Sequence, residues 1–157
     1  MLSQLNCLSR DVEGRYATDA ELLFIAEYVK SYLRRLQTYQ KLQEIEVTIV
    51  QQTHAKMQLI DPKLFYYGAE DVTSKWKQDT LRTLRYSAVA MLFNDLETLQ
   101  EQFSSWPQIM RAFGAQQSCR VTYQLMQEVF KRQLSAQQAD RLCPILELAR
   151  QSLGSVN

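Results

Sequence analysis

A chain of 157 residues is the length of one domain, and such a domain can remove roughly 70% of its unfolded surface from water without metals or disulfides. Hydrophobic residues at 46% and charged residues at 22% exclude a disordered chain, and 18 Lys and Arg against 17 Asp and Glu exclude a surface built to neutralise nucleic-acid phosphates. Four glycines and three prolines are too few to supply the turns of a sandwich or barrel, so the chain reads as all-α.

Residues 2 to 12 form a short opening segment with Leu2, Leu5 and Leu8 on one face. Thr18 and Glu21 then match a capping box, in which the hydroxyl accepts from a first-turn amide and the carboxylate reaches back. From there Leu22, Ala26, Val29, Leu33, Leu36, Tyr39 and Leu42 recur at steps of three and four, and Ile45, Ile49, Met57 and Ile60 carry the stripe onward. This is helix, with one or two breaks expected before Asp61-Pro62 ends it. Residues 61 to 71, with Phe65-Tyr66-Tyr67-Gly68, read as a loop, and 72 to 93 as a second long helix of ~33 Å. Asn94-Asp95 breaks the chain. Short helices follow at 96 to 105 and 107 to 113, with Pro107 as a first helical residue and Gly114 as a C-terminal cap. Residues 116 to 133 and 136 to 152 complete the chain. Ser135 is an N-cap with Gln138 three residues on, and Pro144 predicts a kink or a late start in the last helix. The whole, 1 to 157, reads as a single domain: a segment of residues 1 to 17 and a body of residues 18 to 152.

Chemistry has few instruments here. His54 is the only histidine, is expected on the exposed side of its helix, and has no nucleophile or acid spaced to work with it. No imidazole follows it to ligate a haem in the second half of the chain. Cys7, Cys119 and Cys143 contain no close pair, which suits a reducing compartment rather than a disulfide framework or a zinc site. No phosphate-cradling glycine motif occurs, so the expectation is a non-enzyme without a metal. No basic and apolar leader precedes Cys7, and no run approaches ~18 apolar residues, which places the protein in the cytoplasm or at a membrane's cytoplasmic face. Lys75, Lys77, Arg82 and Arg85 make the middle helix basic. Lys75, Arg82 and Arg85 share a side, with Tyr86 and Trp76 close by. Two readings stay open: a face that holds ligand carboxylates or phosphates, and a solvated face balanced by Asp71 and Asp79.

The stretch Asp11-Val12-Glu13-Gly14-Arg15-Tyr16, a short turn, then Glu21-Leu22 and a helix through Val29 resembles the opening of phycobiliprotein subunits, the allophycocyanin and phycocyanin family. Thr80-Leu81-Arg82-Thr83-Leu84-Arg85-Tyr86 falls where that family has its bilin-attachment motif, and Phe93-Asn94-Asp95 and Arg111-Ala112-Phe113-Gly114 resemble its later helix ends. The resemblance covers about residues 10 to 152 and implies a globin-like all-α body with two protruding N-terminal helices that pack against a sister subunit. Asp11, Arg15 and Tyr16 match interface positions of the family, and Leu5 and Leu8, with Leu2, would leave an apolar strip exposed in a detached chain. Thr80 stands where the thioether cysteine belongs and Thr83 where an aspartate would meet the pyrrole nitrogens. A hydroxyl is far less acidic than a thiol, so the usual covalent link is not expected, and Cys119 and Cys143 do not fall on that attachment position. Arg82 matches the arginine that pairs with a bilin propionate.

The resemblance therefore implies a non-catalytic interaction protein without covalent bilin. It would act in assembly, anchoring or regulation of a phycobilisome or photosystem on the cytoplasmic side of the thylakoid membrane. The expected partners are itself, a phycobiliprotein-like relative or components of those complexes, with no nucleic acid and at most peripheral contact with membrane. The alternative is a carrier or light-related sensor that holds a tetrapyrrole non-covalently through Arg82, Arg85 and Tyr86 beside the aromatic loop at 65 to 67. A globin-fold stress-signalling sensor is a third possibility, because the fold alone does not dictate function.

Overall fold

The computed structural model describes residues 2–155; the side chain of Leu2, part of the predicted apolar strip, lies outside what is described. Seven α-helices and one two-residue-strand hairpin make up the described chain. Helix α1 spans Leu2–Asp11 and α2 spans Asp19–Ile60. Thr18 caps α2 with both halves of the predicted box: Thr18 Oγ1 accepts from the Glu21 amide at 3.3 Å, and Glu21 Oε2 accepts from the Thr18 amide at 2.8 Å. The expected breaks in α2 are absent. Forty-two residues run as one helix, since no glycine or proline interrupts them.

The buried residues of α2 begin at Arg35. None of the preceding residues of α2, numbers 19 to 34, is buried, a stretch of ~24 Å at 1.5 Å per residue in which Phe24, Ile25 and Tyr28 are half-buried. Arg35, only 4% exposed, marks the junction. Its Nε donates to Leu92 O at 2.8 Å, its Nη2 to Tyr28 O at 3.0 Å and its Nη1 to Ser31 Oγ, while the guanidinium lies 4.1 Å from the centre of the Tyr28 ring. Leu92 belongs to the last turn of α3, which spans Thr73–Phe93, so the cation sits against the negative end of that helix.

Between α2 and α3 the predicted loop is more ordered than the sequence indicates. A 3-10 turn over Pro62–Phe65 is followed by strands β1 (Tyr66–Tyr67) and β2 (Glu70–Asp71), paired antiparallel with Tyr66 opposite Asp71. Phe65 anchors this strap: it is buried with Met57 and Leu125 in a small cluster separate from the main core. Asn94 ends α3 in the left-handed region, φ 49°, as its short polar side chain permits.

Helices α4 (Leu96–Phe103), α5 (Trp106–Ala112), α6 (Gln116–Gln133) and α7 (Ala136–Leu153) follow. Pro107 lies in the first turn of α5 and Gly114, φ 59°, just beyond its end. Ser135 caps α7 in a box with Gln138, so the helix starts at Ala136 and continues through Pro144 rather than starting after it. The antiparallel pair α6 and α7 packs against α2 and α3. Ile49, Leu84, Met126, Phe130, Leu142 and Leu146 fill the space between them in one core. The buried hydroxyls of Thr38, Thr53 and Ser87 donate to the carbonyl one turn back, whereas Thr83 Oγ1 is buried without a partner among the described residues. The result is an all-α, globin-like body carrying an N-terminal helical extension.

Candidate functional site

A cavity of about 510 Å³ lies between the start of α3, the strap, α5 and the first turns of α6. That volume is in the range of small-molecule sites. One wall is α3, presenting Lys75, Trp76, Asp79, Thr80 and Arg82. The strap adds Lys63, Tyr66 and Tyr67, α5 adds Trp106 and Met110, and α6 adds Cys119 and Tyr123. Trp76 is fixed by its indole N–H, which donates to Thr122 Oγ1 at 2.9 Å and so ties α3 to α6 along the cavity. The floor is made where Thr80 and Tyr123 are buried. At the rim Tyr67 packs edge-on against Phe113 at 5.6 Å, and the Lys75 ammonium stands 4.7 Å from the centre of the same ring.

The three residues predicted to meet a pigment are placed differently from one another. Arg82 lines the cavity and makes no ion pair or hydrogen bond among the described residues. Arg85 is turned to α2 instead, where Nε and Nη2 hold both oxygens of Glu46 at 3.0 and 2.6 Å and raise the guanidinium pKa further. Tyr86 packs into the main core against Trp106, 6.5 Å between ring centres, and does not line the cavity. The shared basic side thus divides: Lys75 and Arg82 face the cavity, and Arg85 braces two helices. Asp71 caps α3 by accepting from the Thr73 amide at 2.8 Å, and its charge also acts on Lys77.

His54 is a correction to the expectation of an exposed histidine. Its ring lies 4.7 Å from Phe65 and 5.6 Å from Trp76, and Nε2 is buried without a hydrogen-bond partner among the described residues. Burial first, and the Lys77 charge second, hold its pKa below the usual 6.5, with Asp71 opposing. The Cys119 thiol is pushed up to about 12, mainly by burial and then by the charge of Asp79, so it stays protonated and un-nucleophilic. It lies 3.4 Å from the Met110 sulfur. Burial also raises the Cys143 thiol, which packs against the core away from the cavity. Among the described residues no group of three or more His, Cys, Asp or Glu is arranged to hold a metal.

The predicted interface residues also separate. Ser3 ties α1 to the body, its amide and hydroxyl donating to Asp95 at 3.3 and 3.1 Å, and Leu5 and Leu8 are half-buried by their own chain rather than left as an open strip. Asp11, Arg15 and Tyr16 are exposed, Tyr16 at 97%. Arg15 holds both oxygens of Glu21, at 3.0 and 2.6 Å, which with the Thr18 contacts lowers the Glu21 pKa to about 2. Open apolar surface lies on the first half of α2, where Leu23, Val29 and Leu33 are 58%, 64% and 68% exposed, and again later in the same helix at Val47, Leu59 and Ile60. The helical stripe included Val29 and Leu33 and carried no mark that their side of the helix faces away from the body.

A globin-like helical body with an N-terminal helical extension is the fold of phycobiliprotein-like subunits. The chain belongs to the phycobilisome protein family, whose model matches residues 7–153. No curated protein sequence matches the chain as a relative. No helix of the described residues is long and apolar enough to cross a membrane.

Proposed function

We propose that the protein is a non-catalytic phycobilisome-family subunit that carries no thioether-linked bilin and acts by docking. Its place would be in assembly, anchoring or regulation of a phycobilisome or photosystem at the cytoplasmic face of the thylakoid membrane. The observation that carries this reading is the first half of α2: sixteen consecutive residues with none buried, presenting Leu23, Val29 and Leu33 to water. Apolar side chains exposed on a helix stay soluble by being covered, and the docked partner is a second copy or a related subunit. Asp11, Arg15 and Tyr16 frame the approach at the N-terminal end of that helix. Thr80 supports the loss of the covalent link, since the alcohol cannot supply the thiolate nucleophile and the nearby Cys119 is held as thiol. Purification of the tagged chain from its native organism tests the proposal. The expected result is co-elution with phycobilisome or photosystem subunits and no pigment migrating with the chain on a denaturing gel. Elution alone, or a pigment that stays with the denatured chain, contradicts it.

The cavity favours a second reading. Its volume, its aromatic wall and the unpaired Arg82, with Lys63 and Lys75 beside it, fit a tetrapyrrole held without a covalent bond. In that case Arg82 and the lysines would hold its carboxylates and Trp76 and Trp106 its flat faces. Titration with free biliverdin checks this: a sharpened, red-shifted band is expected, and an unchanged spectrum contradicts it.

A further inference from the structure

The strap is held to the body at few points. Of residues 62 to 71 only Phe65 is buried, and the strands that follow it have two residues each, too short to be stable alone. The Val72 amide donates to Phe65 O at 2.8 Å and closes the hairpin at its base, so the strap is anchored where the Phe65 ring is anchored. At the tip Tyr67 rests edge-on against Phe113. Between these points Lys63, Leu64, Tyr66, Tyr67 and Glu70 form one side of the cavity. Few buried contacts and exposed backbone pairing mark a segment that opens ahead of the core.

The Phe65 ring meets two others. It lies 4.7 Å from the His54 ring and 5.1 Å, edge-on, from Trp76. His54 Nε2 is buried in this group without a partner among the described residues, and the indole N–H of Trp76 is already given to Thr122. A neutral imidazole leaves only a lone pair unmet there, whereas an imidazolium would bury an N–H and a charge with no acceptor. Two charges reach the ring: Lys77 on α3 opposes a proton, and Asp71 at the end of the strap favours one. Hydrogen bonds from Thr73 hold the Asp71 pKa below the usual range, so that carboxylate stays ionised near neutral pH. Lys63 and Glu70 of the strap, with Lys75 and Asp79 of α3, line the cavity instead. On α6, Glu128 is paired with Lys56 at 2.6 Å, and Val121 and Leu125 beside Phe65 are apolar.

We infer that the strap is a pH-sensitive lid over the cavity, latched by neutral His54 packed on Phe65 and Trp76 and released when that ring becomes an imidazolium. Opening brings the charged ring to water and carries Phe65, and with it the hairpin, off the body. With the strap closed the His54 pKa lies below 6.5, and with the strap open it returns towards 6.5. The closed state is therefore fully favoured above about pH 6.5 and loses ground progressively below it. The device depends on no occupant of the cavity.

Hydrogen exchange of the full chain at pH 7.5 and 5.5, corrected for the intrinsic pH dependence of exchange, tests this for the wild type, His54→Phe and His54→Gln, each confirmed as folded by circular dichroism. At both pH values the strap amides of the wild type, Val72 among them, are expected to exchange ahead of those of α7. Acidification to pH 5.5 should raise their opening equilibrium by up to roughly tenfold. Acrylamide should then quench Trp76 and Trp106, both at the cavity, more strongly as well. Neither variant has an imidazole to titrate, so each should change by roughly twofold or less, whatever its absolute rate. Strap amides that exchange only as fast as those of α7, or variants that accelerate as the wild type does, overturn the inference. So does a wild-type strap that is unchanged at acid pH, or one that tightens, the result if attraction of the imidazolium to the two ring faces prevailed.

Discussion

Gly154 closes α7 where a methyl group has no room. A Cβ at that position would lie 2.6 Å from Arg150 O and 2.9 Å from Arg120 Cβ, and both obstacles are backbone or the root of a side chain. Gly154→Ala is expected to cost about 1–3 kcal/mol, and thermal unfolding followed at 222 nm should show a lower midpoint; an unchanged midpoint contradicts the close approach of α6 and α7 there. His54 makes a pH-dependent contribution of known sign. The folded state keeps its pKa below 6.5, so this stability is complete above about pH 6.5 and declines as pH falls below it. Urea unfolding at pH 7.5 and 5.5 should therefore show a loss for the wild type, and His54→Phe should lose less. An equal loss in both proteins removes His54 as the cause. Neither residue announced itself. A lone histidine beside Gln52, Thr53 and Lys56 reads as solvated, and only the return of Phe65 and Trp76 from later in the chain encloses it. Arg35 was hidden for the same reason, since its hydrogen bond to Leu92 O spans 57 residues.

At the scale of the element, local chemistry was readable and long-range closure was not. The boxes at Thr18 and Ser135, the stop at Asn94 and the cap at Gly114 depend on neighbours within a turn, and each sits where the spacing placed it. The strap depends on packing against α2 and α6, which no window of sequence contains. The same limit applies to the cavity. Arg82 was legible from its motif, but the walls from α5 and α6 were not, so Arg85 and Tyr86 were grouped with it by helical spacing alone. The cap of α2 gives a further prediction. Glu21 is held at a pKa of about 2 by Arg15 first and Thr18 second, so its support is complete above about pH 4.5 and disappears as pH falls towards 2. Thr18→Ala removes the hydroxyl acceptor, and amide exchange in the first turns of α2 should quicken. Exchange at the wild-type rate would show that the first half of α2 is held by something other than its cap.

The whole molecule joins two parts in one chain: a body that packs its own core and an extension in which no residue of α2 is buried. Leu23, Val29 and Leu33, all before Arg35, are exposed there. On the docking reading proposed above, a partner covers Val29 and Leu33. Sedimentation velocity of the wild type and of a Val29→Glu, Leu33→Glu double variant, alone and co-expressed with phycobilisome subunits, tests that claim most directly. The account predicts a dimer or a mixed complex for the wild type and a folded monomer for the double variant under the same conditions. A wild type that sediments as a single chain in both preparations, or a double variant that associates as the wild type does, would contradict it.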